Sequence, residues 1–181
     1  MDTIKKESKK KYLWNILYKT LFIFIVLILV FIWMKDIDDS GKIIMLSSSA
    51  LFFGWFLGFG LPTIALFINH YKQSKSILFS ENDKVFTYSS KKDNFDFKEE
   101  DIDKIELWLT PSRYDKRIDW QYFGDYHFSK FYLKSGEIFE LSCLIFDKTE
   151  EVFSKKIIER KKKFFPFLSS LPASARMSNK E

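Results

Sequence analysis

Four carboxylates crowd into five residues at Glu99, Glu100, Asp101 and Asp103. Oxygen ligands at that density are what a hard cation such as Ca²⁺ collects, six to eight at a time. No glycine-spaced calcium loop surrounds them, so they read as a solvated turn entering a strand. His70 and His127 stand far apart with no partner at fixed spacing, which gives neither a zinc template nor a base beside a nucleophile. Cys143 is the only cysteine; it excludes an internal disulfide and a multi-cysteine zinc site, and reads as a small core residue. Serines are plentiful, yet there is no G-x-S-x-G elbow and no phosphate-cradling glycine loop. The chain is therefore read as non-enzymatic. No catalytic residue, cofactor or metal is assigned, and no small-molecule substrate is evident.

The elements around these residues begin with two apolar stretches. Trp14 to Met34 is about 21 residues, roughly 31 Å as a helix. Ile43 to Ile68 carries no charge over about 26 residues, and Pro62 offers it a place to bend. Residues 14–70 are thus read as a two-helix transmembrane hairpin, with spans at 14–34 and 43–68. Ala50, Gly54 and Gly58 recur every fourth residue and give the second helix a face of small side chains. That face is expected to pack against the first span or against a second copy of the chain. Lys5, Lys6, Lys9, Lys10, Lys11 and Lys19 crowd the N-terminal side, whereas Asp36, Asp38 and Asp39 make the inter-span loop acidic. Cationic flanks stay on the cytosolic side, so both termini are expected there. The abundance of Phe, Lys and Ile suggests an AT-rich bacterial genome, and the expected location is a bacterial plasma membrane.

From Lys72 onward basic and acidic residues nearly balance, so the formal net charge of +5 comes mainly from the N-terminal lysines. A nucleic-acid partner loses support on that count. The expected partners are the lipid bilayer and either another protein or a further copy of the chain. Residues 1–13 read as a basic cytosolic tail and 169–181 as a disordered one.

Residues 71–168 read as one β domain. Ser76 to Ser80 and Lys84 to Tyr88 are β-prone runs joined at Glu81-Asn82-Asp83. Phe95 to Phe97 follows, then Lys104 to Thr110, whose Ile105, Leu107 and Leu109 alternate with Glu106 and Trp108. Pro111 to Asp115 is a loop by composition, ahead of the aromatic run Ile118 to Phe123. Tyr126 to Lys134 and Glu137 to Leu144 form a hairpin about Ser135-Gly136, with Phe139 opposite either Phe131 or Tyr132. The aromatics Trp108, Trp120, Tyr122, Phe123, Tyr126, Phe128, Phe131 and Tyr132 exceed what a small sheet normally buries, so part of the series is expected on a docking surface. An amphipathic helix is predicted to close the domain. Asp147 would cap it, Phe153, Ile157 and Phe164 would share its buried side, and Arg160, Lys161, Lys162 and Lys163 would complement its dipole. With Lys72 and Lys75, those four cations are the residues placed to meet a membrane surface.

Phe97 leading into Asp101-Ile102-Asp103-Lys104-Ile105, then the Tyr126 to Leu144 hairpin before a terminal helix, resembles the bacterial pleckstrin-homology-like domains found on membrane-anchored proteins. The resemblance covers about Ser76 to Leu168. It implies an α+β fold, in which a small antiparallel sheet or partly open barrel with one C-terminal helix follows the hairpin. It also implies a scaffold or binding module. The first hairpin lacks the glycine such domains often carry, and no dense basic loop marks a phosphoinositide pocket. An alternative is a toxin-immunity or envelope-stress protein acting through the membrane hairpin, with the Ala50, Gly54, Gly58 face gripping a partner helix.

Overall fold

The computed structural model describes residues 39–118 and 123–169, together with single helical positions nearer the N-terminus: Tyr12, Trp14, Tyr18, Leu21, Ile25, Val26, Ile28, Leu29 and Ile32. Most of the first apolar stretch, the 1–13 tail apart from Tyr12, and the tail beyond Ser169 lie outside the described residues.

The second apolar stretch is not one continuous α-helix. It forms α1 (Asp39–Trp55), a π-helical segment (Phe56–Gly60) and α2 (Leu61–Ser76). Pro62 has no N–H to give the carbonyl of Gly58, and its ring crowds that carbonyl, so the ladder widens just ahead of it. α1 has 17 residues and α2 has 16, the last of which are polar. Among the described residues no helix is long and apolar enough to cross a membrane. This corrects the expected two-span anchor and, with it, the multi-pass placement with both termini cytosolic. α2 instead joins the β domain. It buries Thr63, Leu66, His70 and Ser74, which fall on one side at helical spacing.

Among the described residues seven strands follow in two sheets. The first contains β1 (Ile77–Asn82), β2 (Val85–Ser90) and β3 (Asn94–Lys98) in sequential order. Asp83 and Lys84 close the first hairpin with φ of 49° and 66°, the conformation of a two-residue type I′ turn. The second sheet contains β4 (Ile102–Leu109), β5 (His127–Leu133), β6 (Ile138–Ser142) and β7 (Ile158–Lys162), in the order β6-β5-β4-β7. Phe131 pairs with Phe139 across β5 and β6, which selects one of the two registers the sequence left open. Gly136, at φ 99°, turns that hairpin. Pro111–Tyr114 is a one-turn helix, α3, where a loop was expected.

The predicted C-terminal helix is also corrected. Only Thr149–Val152 is helical (α4), with Lys148 rather than Asp147 at its cap, and the chain then enters β7 parallel to β4. Ile157 and Ile158 are β-branched and favour a strand. Pairing Ile158 with Ile105 and Lys162 with Leu109 also supplies partners for backbone groups that a short surface helix would satisfy internally. Phe153 is buried as expected, whereas Phe164 is 47% exposed.

The two sheets enclose an aromatic core. Phe86, Tyr88, Phe97, Phe131, Phe139 and Phe153 interleave with Ile77, Ile102, Ile105, Leu133, Leu141 and Ile145. Phe131 and Phe139 stack at 4.9 Å between centroids. A second cluster gathers Tyr12, Leu66, Phe123, Tyr126, Cys143 and Leu144 where α2 meets the second sheet.

Candidate functional site

At the seam between helix and sheets lies a cleft of about 480 Å³. That is within the usual size range for a small-ligand site, roughly 300–1,000 Å³. Several segments build it. α2 contributes Asn69, Lys72, Gln73 and Ser76; the β2–β3 turn contributes Ser90, Lys91, Lys92 and Asp93; β6 contributes Glu140, and the segment after β7 contributes Leu168 and Ser169.

Each wall is held by specific bonds. Gln73 closes the edge of β6, its Nε2 donating to the Glu140 carbonyl at 2.9 Å and its Oε1 accepting from the Ser142 N–H at 3.0 Å. The side-chain amide thus takes the place of a neighbouring strand. Asn69 Oδ1 accepts from the Leu168 N–H at 2.9 Å, and the Glu140 carboxylate accepts from the Ser169 N–H at 2.9 Å and from its hydroxyl. The Ser90 hydroxyl receives the Asp93 N–H at 3.0 Å and sets the turn that carries Lys91 and Lys92. Burial raises the Tyr88 phenol, a hydrogen bond with Ser90 opposes that, and the charges of Asp93 and Glu140 add to the rise.

Beneath the cleft, His70 ties α2 to the second sheet. Its Nε2 lies 2.9 Å from the Pro166 carbonyl, which can only accept, so Nε2 carries the proton. The neutral ring then presents a bare Nδ1, and the Ser142 hydroxyl donates to it at 2.8 Å. Serine and histidine at that distance have the geometry of an activated nucleophile, but both are fully buried and both ring nitrogens are engaged. The pair is a clasp. Burial lowers the His70 imidazole to about 4, the Pro166 bond opposing and Lys163 reinforcing the shift. Cys143 packs beside it with its thiol pushed up to about 11 by burial, the unreactive state.

The six cations singled out in the sequence are not brought together. Lys72 lines the cleft, and Lys75 lies 4.8 Å from the centre of the Tyr71 ring. Arg160 pairs with Glu150 at 3.0 Å, Lys161 with Glu106 at 2.8 Å and Lys162 with Asp115 at 2.9 Å, while Lys163 donates to the Phe167 carbonyl at 3.0 Å. These last four sit on or just after a strand, alternating between its faces, instead of gathering at a helix end. Lys91 and Lys92 complete the basic side of the cleft. Nothing in their local sequence signals that α2 comes to face them.

Ala50, Gly54 and Gly58 lie on exposed helix, and a Cβ added to either glycine would meet no atom within 4 Å. In the acidic turn, Asp101 accepts from the Lys98 N–H at 2.8 Å and Glu99 from the Ser154 N–H at 2.7 Å, so two of its carboxylates anchor backbone. Among the described residues no group of three His, Cys, Asp or Glu is placed to hold a metal ion. Of the aromatic series, Phe123, Tyr126, Phe128 and Phe131 are buried. Trp108 and Tyr132 are half-buried under lysines, with Lys161 over Trp108 and Lys104 over Tyr132. Trp120 and Tyr122 fall outside the described residues.

Two facing sheets, a helix sealing one edge and a cleft with charged residues at their junction are the features of a small α+β binding or scaffold module. A family model described as the PH domain matches residues 3–154, and the chain belongs to that family. The match takes in α1 and α2 as well as β1 to β6, and ends before β7. No curated protein and no solved structure matches the chain.

Proposed function

We propose that this chain is a non-enzymatic binding module that docks its cleft on a phospholipid surface, with the lysines Lys72, Lys91 and Lys92 meeting lipid phosphates. The observation that carries the reading is the convergence of those lysines, from a helix and a turn distant in sequence, on one open cleft. Each lysine near an anionic surface contributes about 1 kcal/mol. The outer side of α2 supports the same docking face, since Leu61, Ile64 and Ile68 are exposed there, an apolar row beside the basic rim.

Co-sedimentation of the full chain with vesicles of graded phosphatidylglycerol content tests this. Binding should rise with anionic lipid, weaken with salt, and fall about fivefold in Lys72→Gln, a loss of about 1 kcal/mol. Binding that ignores all three lysines would refute the assignment.

A second reading, self-association, is favoured by the exposed apolar side chains of the helices, among them Trp14 at 68% and Leu46 at 75%. Sedimentation velocity without lipid separates it: a concentration-dependent dimer would support it, and a monomer over the same range would remove it.

A further inference from the structure

The cleft is not simply basic. Asp93 and Glu140 share it with Lys72, Lys91 and Lys92, yet among the described residues none of these lysines lies within the 4.0 Å of an ion pair with either carboxylate. Opposite charges that line one cavity without pairing form two separate poles. The acidic pole is the better built. Glu140 is more than nine-tenths buried, fixed by the Ser169 N–H and hydroxyl, and together with Asp93 it acts on the Tyr88 hydroxyl. The basic pole comes from the helix and the turn tip.

We propose that the cleft selects a compact zwitterion, a phosphate joined by a short linker to a primary ammonium, as in a phosphoethanolamine headgroup. The phosphate sits among Lys72, Lys91 and Lys92 as a charge-assisted hydrogen-bond acceptor. The ammonium donates its N–H groups to Asp93 and Glu140. A simple anion would satisfy only the first pole and would be repelled by the second. A quaternary ammonium would bring charge but no N–H donor, so a phosphocholine headgroup is the weaker ligand. This rests on the phospholipid-surface reading above and narrows it to a headgroup class.

Calorimetry on the full chain with soluble O-phosphoethanolamine, glycerol phosphate and inorganic phosphate separates the poles. O-phosphoethanolamine should bind about tenfold tighter than glycerol phosphate, the scale of charged hydrogen bonds at the ammonium. Asp93→Asn, a half-buried turn change that leaves the carboxylate of Glu140 latched to Ser169, should abolish most of that preference without weakening phosphate binding, which the loss of a repelling charge should if anything strengthen. Lys91→Gln with Lys92→Gln should weaken all three ligands. Vesicles enriched in phosphatidylethanolamine should capture the chain better than phosphatidylcholine vesicles of equal charge, which locates the headgroup on a lipid; capture by soluble ligand alone would assign the same chemistry to a free metabolite. Equal affinity for the three ligands, or a preference untouched by both Asp93→Asn and Glu140→Gln in variants that melt at the parent temperature, would overturn the proposal. Binding to phosphatidylglycerol vesicles without amine preference would overturn only the headgroup assignment. Binding to no vesicle and no phosphate would overturn the phospholipid reading as well.

Discussion

The two buried clusters of this molecule are held by different physics. Between the sheets, twelve buried hydrophobic residues interlock, nearly every one on a strand; they follow the alternation along each strand, except in β4, where an irregularity between Ile102 and Lys104 lets both Ile102 and Ile105 face the core. Where α2 meets the second sheet, six buried hydrophobic residues come from four separate stretches of chain, and polar bonds locate them: His70 to Ser142 and Pro166, Tyr12 to the Asp125 carbonyl, Gln73 to the β6 edge. The first cluster is stabilised by area and shape, and tolerates no cavity. The second depends on proton positions and hydrogen-bond geometry. Conditions that change protonation should therefore reach the helix seam before they reach the core.

The largest effect should come from opening a cavity in the aromatic core. Phe131 is fully buried and contacts the rings of Phe97, Phe139 and Phe153. Phe131→Ala should cost about 3–5 kcal/mol of stability in urea unfolding. A loss under 1 kcal/mol would mean that the sheets collapse around the gap, and the contrast between a rigid core and a conditional seam would fail.

Acid should strike the seam instead. The folded chain keeps His70 neutral down to about 4, whereas the unfolded imidazole takes its proton near 6.5. Between those values the unfolded state binds one more proton, so stability is full above about pH 6.5 and falls as pH drops toward 4. The loss should approach about 3 kcal/mol. Thermal unfolding from pH 7 to 4 measures it, and His70→Gln should flatten the slope whatever it costs at neutral pH.

The contrast also explains what was legible from residue order. Period-two alternation in Lys104 to Thr110 and the turn at Ser135-Gly136 announced β4 and the β5–β6 hairpin, because those signals are local. A final helix is expected because Asp147 as a cap and Arg160 to Lys163 at the far end satisfy helix rules, while the reason for a strand, the edge of β4, lies about fifty residues earlier. The apolar run Ile43 to Ile68 reads as one span because hydropathy does not register where the hydrogen-bond ladder breaks ahead of Pro62. The cleft was invisible for the same reason as the β7 pairing: Gln73 and Glu140, or Lys72 and Lys92, meet only through the fold.

A smaller effect tests whether one side chain can seal a sheet edge. Gln73→Ala leaves the Ser142 N–H and the Glu140 carbonyl without the amide that pairs them, which should cost about 1–3 kcal/mol. Amide exchange at Ser142 should speed up by about tenfold or more, with β4 unaffected. Equal acceleration at Ile105 would show that the seam and the core open together.

The smallest effect sets a second acid window beside the first. Glu106 lies on the sheet face away from the aromatic core, its side chain 7% exposed, with Lys161 at 2.8 Å and Lys104 at 3.2 Å. Burial alone would raise its carboxyl, but the hydrogen bonds from Lys161 and Lys104, with the Tyr132 hydroxyl nearby, outweigh that and hold it at about 2. Its contribution is therefore present above the unfolded value of 4.5 and lost as pH falls toward 2. Both lysines are partly in solvent, which screens the pair, so the loss should be about 1–2 kcal/mol. An acid titration of stability should then show two successive declines, the upper removed by His70→Gln and the lower by Glu106→Gln. Because the upper one belongs to the seam, the Ser142 amide should lose protection between pH 6.5 and 4 while Ile105 keeps its own. A single decline abolished by either substitution would mean that seam and sheet titrate as one unit.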